Sequence, residues 1–347
     1  MNKSVLNVLV LSIGIAALAA AGCGKDKKDE SKDKATAGET KAGGDAPGAA
    51  RAQAGGSAAS AFALFPKDSN MVAGINVSAL RGTPLWNKFA PLIQQQAGSE
   101  LKEFTAACGI DPFNAIDSVV VGGNSEDDKN MVIAIKGNLE KGKVIECAKK
   151  IAAKDGTDLK IEEDGQIVGF VEGGEQMYVA WLDDGTIVTG PGAEGNKDWL
   201  EGVLSGGASV TGNKAFMDLV NNTDSNSSVW FAIIPPAGDN PFNAMGAGGP
   251  KPDSMYASIN LGKGLKIDAG LRFAKPDDAK MLADQANQMM GPMKSDPTFG
   301  KYLAKTAIST SGNDVVVKVD LNQAEFDELL KMLEQQLPML MMMAGGM

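Results

Sequence analysis

No histidine occurs anywhere in the 347-residue chain. That removes histidine-based catalytic triads, histidine-ligated zinc centres and the commonest general base in one stroke. A hydrolase working without histidine, through carboxylates or a serine–lysine pair, stays open. Aromatic residues make up only 5% of the chain, with four Trp and three Tyr, which argues against the stacking platforms that bind sugars. Basic charge is also scarce. Thirty-three Lys and Arg face 43 Asp and Glu, a net charge of −10, so the chain repels nucleic acid and anionic surfaces. Cysteine appears three times, and long apolar runs are missing except at one place, residues 5–22.

That run, "VLNVLVLSIGIAALAAAG", follows Met-Asn-Lys-Ser and ends just before Cys23. One basic residue, an apolar stretch and small residues ahead of a cut site are the three parts of a secretory signal. A membrane-spanning helix is the alternative, because the run approaches bilayer length. Its Ala- and Gly-rich end contributes little to insertion, and the basic cluster stands after Cys23 rather than before it. The residues "AAGC" (20–23) resemble the lipobox of bacterial lipoproteins, with Ala20 where Leu is usual. The resemblance implies removal of residues 1–22 as a signal peptide and acylation of Cys23, palmitate among the chains. Each buried methylene contributes about 0.8 kcal/mol, so several chains hold a domain firmly on a membrane. Gly24 stands where an inner-membrane retention signal carries Asp, which implies an outer-membrane address facing periplasm or cell surface.

Residues 23–60 read as the lipidated cysteine and a disordered tether. After Cys23 the segment holds Lys, Asp, Glu, Gly, Ala and Ser and nothing that starts a core. Seven basic and six acidic side chains leave it nearly neutral. As a flexible coil it spans about 35 Å on average and about 120 Å when straight.

The remaining 287 residues or so suffice for one large domain or two modest ones. Runs rich in β-branched residues and cut by Gly and Asp predict strands at 70–77, 117–123, 130–137, 166–174, 176–182 and 186–190. Helical spacing marks "TPLWNKFAPLIQQQ", with Thr83 as cap and Pro84 at the first helical position. It also marks "NKDWLEGVL", "NKAFMDLV", "KPDDAKMLADQANQMM" and "NQAEFDELLKMLEQQL". "DSVVVGGN" at 117 and "DSMYASIN" at 253 are each followed by a second strand and a helix, about 136 residues apart. This order suggests two tandem strand–strand–helix units, 61–207 and 208–347, and an α+β class of antiparallel sheets with helices on one side. The domain also resembles α+β envelope lipoproteins of Gram-negative bacteria in "LFPKDSNMVAGINVSAL", "CGIDPFNAIDSVVVGG" and "VIECAKK".

Cys108 ends one predicted helix, stopped by Gly109, and Cys147 lies inside another. In an oxidising compartment pairing is expected, closing a loop of about 39 residues and stabilising by about 3–4 kcal/mol. Two buried free thiols are the other reading.

Signals of chemistry are thin. "SELK" places Ser99 and Lys102 in an S-x-x-K spacing, but the matching Lys-Thr-Gly is replaced by "KTA" at 305–307. "GPGAEGNK" (190–197) misplaces its lysine for a phosphate loop and reads as a turn into a helix. Acidic triplets at Glu126–Asp128 and Glu162–Asp164, and the pair Asp183–Asp184, lack the alternating spacing of calcium loops and are expected at hairpin tips. Neither metal nor cofactor is expected. The Pro- and Gly-rich stretch 235–253 carries Phe242 and Met245, and the C-terminus carries Met341, Met342 and Met343. These five are candidate contacts for a partner. For the 235–253 stretch disorder is the other reading. For the terminal methionines, as for those of "LADQANQMMGPM" (282–293), thioethers adapt to apolar surfaces, and core filling and soft-metal binding are the alternatives. The sequence therefore predicts a lipid-anchored, non-enzymatic envelope protein that binds another envelope protein or supports structure. A periplasmic carrier of an apolar ligand is the alternative, and the histidine-free hydrolase comes third.

Overall fold

In a computed structural model the described residues are 58–96, 98–207, 209–236 and 250–332. Cys23, Phe242, Met245, Met341, Met342 and Met343 lie outside them. The chain runs α1 (Ala58–Phe62), β1 (Met71–Asn76), α2 (Val77–Arg81), α3 (Pro84–Gln96), α4 (Gly98–Cys108) and α5 (Pro112–Ala115). It continues through β2 (Ile116–Gly123), β3 (Val132–Gly137), α6 (Lys141–Asp155) and four meandering strands, β4 (Leu159–Asp164), β5 (Ile167–Glu172), β6 (Glu175–Asp183) and β7 (Thr186–Thr189). Then come α7 (Lys197–Leu204), α8 (Lys214–Val220), β8 (Val229–Ile233), β9 (Ser254–Asn260), β10 (Gly264–Arg272), α9 (Pro276–Met293), α10 (Gly300–Leu303), β11 (Thr306–Ser311) and β12 (Asp314–Asn322). Residues 323–332 form a last helix, α11.

All twelve strands join one antiparallel sheet in the order β11-β12-β10-β9-β8-β1-β2-β3-β7-β6-β5-β4. The α+β class holds. Where the sequence suggested several sheets covered on one side, the structure has a single sheet with helices on both faces. Alternation explains why. On β6, Tyr178 and Ala180 enter one core with Leu200 of α7 and Phe216 and Leu219 of α8. Met177, Val179 and Trp181 enter the other, against Phe104 of α4 and Ile145, Ala148 and Ile151 of α6. A strand buried on both faces reads as a continuous apolar run, and "QMYVAWL" is one.

Helix starts are fixed by local chemistry. Thr83 Oγ1 accepts the Trp86 N–H at 3.1 Å, Asn196 caps Trp199 at 3.0 Å and Asn213 caps Phe216 at 3.2 Å. Gly109 (φ +65°) and Gly156 (φ +69°) follow α4 and α6 in the left-handed conformation that closes a helix. Across the sheet, three glycines lie directly opposite aromatic residues, Gly74 with Trp230, Gly169 with Tyr178 and Gly270 with Tyr256. A Cβ at any of them would fall within 2.7 Å of the ring, so each ring lies flat on bare backbone.

Candidate functional site

The disulfide between Cys108 and Cys147 is formed, with Cα atoms 4.6 Å apart across 39 residues. It ties α4 to α6, and the Lys154–Glu103 ion pair at 3.3 Å runs beside it. Together with α5 these helices roof a cavity of about 50 Å³ over β2, β3, β6 and β7. Phe104, Ile110, Pro112, Ile135, Val179 and Trp181 are among its walls. Trp181 Nε1 donates to the Leu139 carbonyl at 2.9 Å, so the indole's polar end is satisfied at the rim. Size decides what this cavity can do. Pockets that hold small organic ligands run to roughly 300–1,000 Å³, so this one has no room for an acyl chain.

At the other end of the sheet, α9 exposes what the core does not use. Ala279 and Ala283 are buried against Phe273 and Val315, and Met290 is buried further along the helix. Met281 (51% exposed), Met289 (65%) and Met293 (53%) face solvent, with Phe299 (39%) just beyond the helix. An open groove of about 400 Å³ runs between Pro292, Met293, Ser295, Asp296, Phe299 and Leu303. Asp296 shapes it, its Oδ1 accepting the N–H groups of Thr298 (2.8 Å) and Phe299 (2.9 Å). Those bonds, the one from Phe299 first, hold its carboxyl below the ordinary value. This Met- and Phe-lined shelf is the candidate site. In the sequence this stretch reads as the helix "KPDDAKMLADQANQMM", which does not choose among its methionines and misses Phe299. Helical phase could have separated the buried Met290 from the exposed Met289 and Met293.

The other sequence candidates resolve into structural roles. "SELK" opens α4, with Lys102 exposed, and Lys305 of "KTA" pairs with Glu325 at 3.3 Å. "GPGAEGNK" is a turn into α7, and Lys197 pairs with Asp164 and Glu201. Their bonds, that to Asp164 first, raise the Lys197 pKa. Glu126–Asp128 lie in the β2–β3 connection, and Asp183 sits at the β6–β7 turn, accepting from Gly185 N at 2.8 Å. Glu162, Glu163 and Asp164 are not at a tip as expected. They form the end of β4, and Gly165 (φ +58°) makes the turn. Among the described residues no three Cys, Asp or Glu side chains gather as metal ligands would. Among them also, no helix is long and apolar enough to cross a membrane. Among the described residues Glu172 and Asp314 are the buried carboxylates. Asp314 is joined to the half-buried Arg272 by two bonds of 2.8 and 3.0 Å, with Tyr256 Oη on the same carboxylate at 3.3 Å.

No protein-family model matches the chain, and no curated protein does. Among solved structures, crystal form III of a protein designated TP0453 aligns with a TM-score of 0.45 at 10% identity. It covers 77% of this chain and 95% of its own. Crystal form I of TP0453 aligns with a TM-score of 0.43 at 8% identity, covering 77% of this chain and 94% of its own.

Proposed function

We propose that this chain is a lipid-anchored cell-envelope protein, acylated at Cys23, with a non-enzymatic binding role. In this reading residues 1–22 are the signal, and the segment from Cys23 is a leash that ends at α1, whose first turn takes in residues 58–60 where the sequence reading carried the tether to residue 60. The α+β domain engages another envelope protein through the shelf on α9. The observation that carries it is that α9 and the turn beyond it expose Met281, Met289, Met293 and Phe299 to solvent, the last two lining one groove. Unbranched thioether side chains suit a surface that adapts to an apolar partner. The shifted carboxylates and lysines support a structural rather than catalytic use of charge, since each has a turn or ion-pair partner. The carrier reading finds no room in the cavity under the disulfide.

The tandem reading belongs to the same proposal. β1, β2 and β3 lead to α6, and the β6–β7 hairpin closes on β3. Equally, β8, β9 and β10 lead to α9, and the β11–β12 hairpin closes on β10. The two series run outward from the β1–β8 pair in the middle of the sheet, with β4 and β5 an addition to the first. A duplicated unit whose first strands pair with one another accounts for this order.

A photo-reactive residue at Met289, activated in intact cells, tests the shelf. Capture of one defined envelope protein is expected, with the same residue at Lys160 on β4 as the comparison. Equal capture from both positions would sink the shelf as a partner site. Intact-mass analysis of native protein tests the anchor separately, with diacyl or triacyl mass on a chain that begins at Cys23 expected.

A further inference from the structure

The two edges of the sheet are built differently. β4 carries Lys160, Glu162, Glu163 and Asp164. Lys141 of α6 pairs with Glu163 at 3.0 Å, and Lys197 of α7 with Asp164. Charges on an edge strand and lysines brought across to it discourage another strand from pairing there. β11 reads Thr-Ala-Ile-Ser-Thr-Ser and holds no charge and no proline.

Its open hydrogen-bonding groups can be assigned. The Asp320 N–H donates to the Lys305 carbonyl at 3.3 Å, which makes 305 and 320 a bonded pair of the β11–β12 ladder. Bonded and non-bonded pairs alternate, so Ala307–Lys318 and Ser309–Val316 are bonded, while Thr306–Val319, Ile308–Val317 and Thr310–Val315 are not. The N–H and C=O of Thr306, Ile308 and Thr310 therefore point away from β12. One contact confirms the phase independently: Asn287 Nδ2 of α9 reaches the Ile308 carbonyl at 3.2 Å. A side chain there does what a neighbouring strand does, and the carbonyl keeps a second lone pair.

We propose that β11 is a docking edge for a second copy of this chain, the two β11 strands pairing antiparallel about a two-fold axis at Ile308. Ile308 then faces Ile308 of the second copy, and Thr306 faces its Thr310. Each outward N–H and C=O along six residues, about 20 Å of strand, finds a partner. Three features select a second copy over an unrelated peptide. The outward groups fall symmetrically about Ile308. Of the pairs brought together, Thr with Thr is among those that stabilise antiparallel ladders. With no charge in the strand, self-pairing sets no like charges opposite one another, as it would at Glu162 of β4. Such an interface is isologous and closes on itself, so assembly stops at the dimer.

The full chain in detergent, measured by light scattering over a concentration series, is expected to be dimeric. Thr310→Pro removes an outward N–H and leaves the β12 ladder intact, so it is expected to weaken the dimer at least tenfold while far-ultraviolet circular dichroism stays unchanged. A monomer at every concentration, or a folded Thr310→Pro protein that dimerises as tightly as the parent, overturns the proposal. Thiol cross-linking decides even where the proline variant does not fold. Ile308→Cys treated with a short bifunctional maleimide is expected to give a covalent dimer, and Lys160→Cys on β4 is not. Equal cross-linking at both edges, or none at Ile308→Cys, overturns it as well.

Discussion

At Gly74 a single missing carbon decides the packing of the sheet's centre. The glycine lies opposite Trp230, whose ring is fully buried and meets Phe62 edge-on at 5.9 Å between centroids. A Cβ built on Gly74 would sit 2.3 Å from Trp230 Cε2, inside contact distance. Gly74→Ala should therefore cost about 1–3 kcal/mol by forcing the indole off its site. A lowered urea midpoint with an unchanged slope is the expected readout, and an unchanged midpoint would show that the ring can slide without cost. Tyr256 makes a pH-dependent case. Burial first, then the negative charge of Asp314, push its phenol up to about 12 from an ordinary 10.0. The folded state holds the proton more tightly, so this stability is present in full below pH 10.0 and disappears as pH rises towards 12. Tyr256→Phe should flatten the fall in stability across that window relative to the parent. At neutral pH it should cost about 1 kcal/mol for the lost bond to Asp314.

Among the elements, the disulfide-tied roof is the one whose stability can be read from the chain. Replacing both Cys108 and Cys147 by Ala frees a 39-residue loop in the unfolded state, which should lower stability by about 3–4 kcal/mol. Hydrogen exchange should quicken first in α4, which the bond pins to α6; an unchanged denaturation midpoint would contradict this. The pairing was legible because two helices, each with a visible stop or flank, presented one cysteine apiece. Interior strands were legible for a similar reason. β1, β2, β3, β5, β6 and β7 are apolar on both faces, and β9 and β10 showed through their likeness to β2 and β3. Edge and near-edge strands were not. β4 reads Leu-Lys-Ile-Glu-Glu-Asp, β11 is nearly all Thr, Ser and Ala, and neither has two faces to bury. β8 is short and precedes Pro235, which hides it. β12 alternates Val317, Lys318, Val319 and Asp320 in a strand-like period, a signal that was there to be used. The shelf was only half legible, because composition marks α9 as rich in methionine while phase alone says which of its residues the core takes.

For the whole molecule, the question is whether the halves on either side of residue 207 unfold together. The sheet runs unbroken through the β1–β8 ladder, where five residue pairs join them. One core contains Val72 and Val120 from the first half and Trp230, Ala232 and Tyr256 from the second. Separating the halves would open that ladder and expose Trp230 to water, a cost of several kcal/mol from the indole and its neighbours alone. A single cooperative transition follows. The disulfide tests it, because both cysteines lie in the first half while the seam is shared. Where the halves are coupled, removing the bond lowers protection of the slowest amides in β9 and β10 by the same free energy as in β5 and β6. Where they are not, β9 and β10 keep their protection and only the first half loosens. Equal loss is the expected result, since the duplication proposed above places the two first strands against each other, and neither unit can leave without uncovering the other's edge.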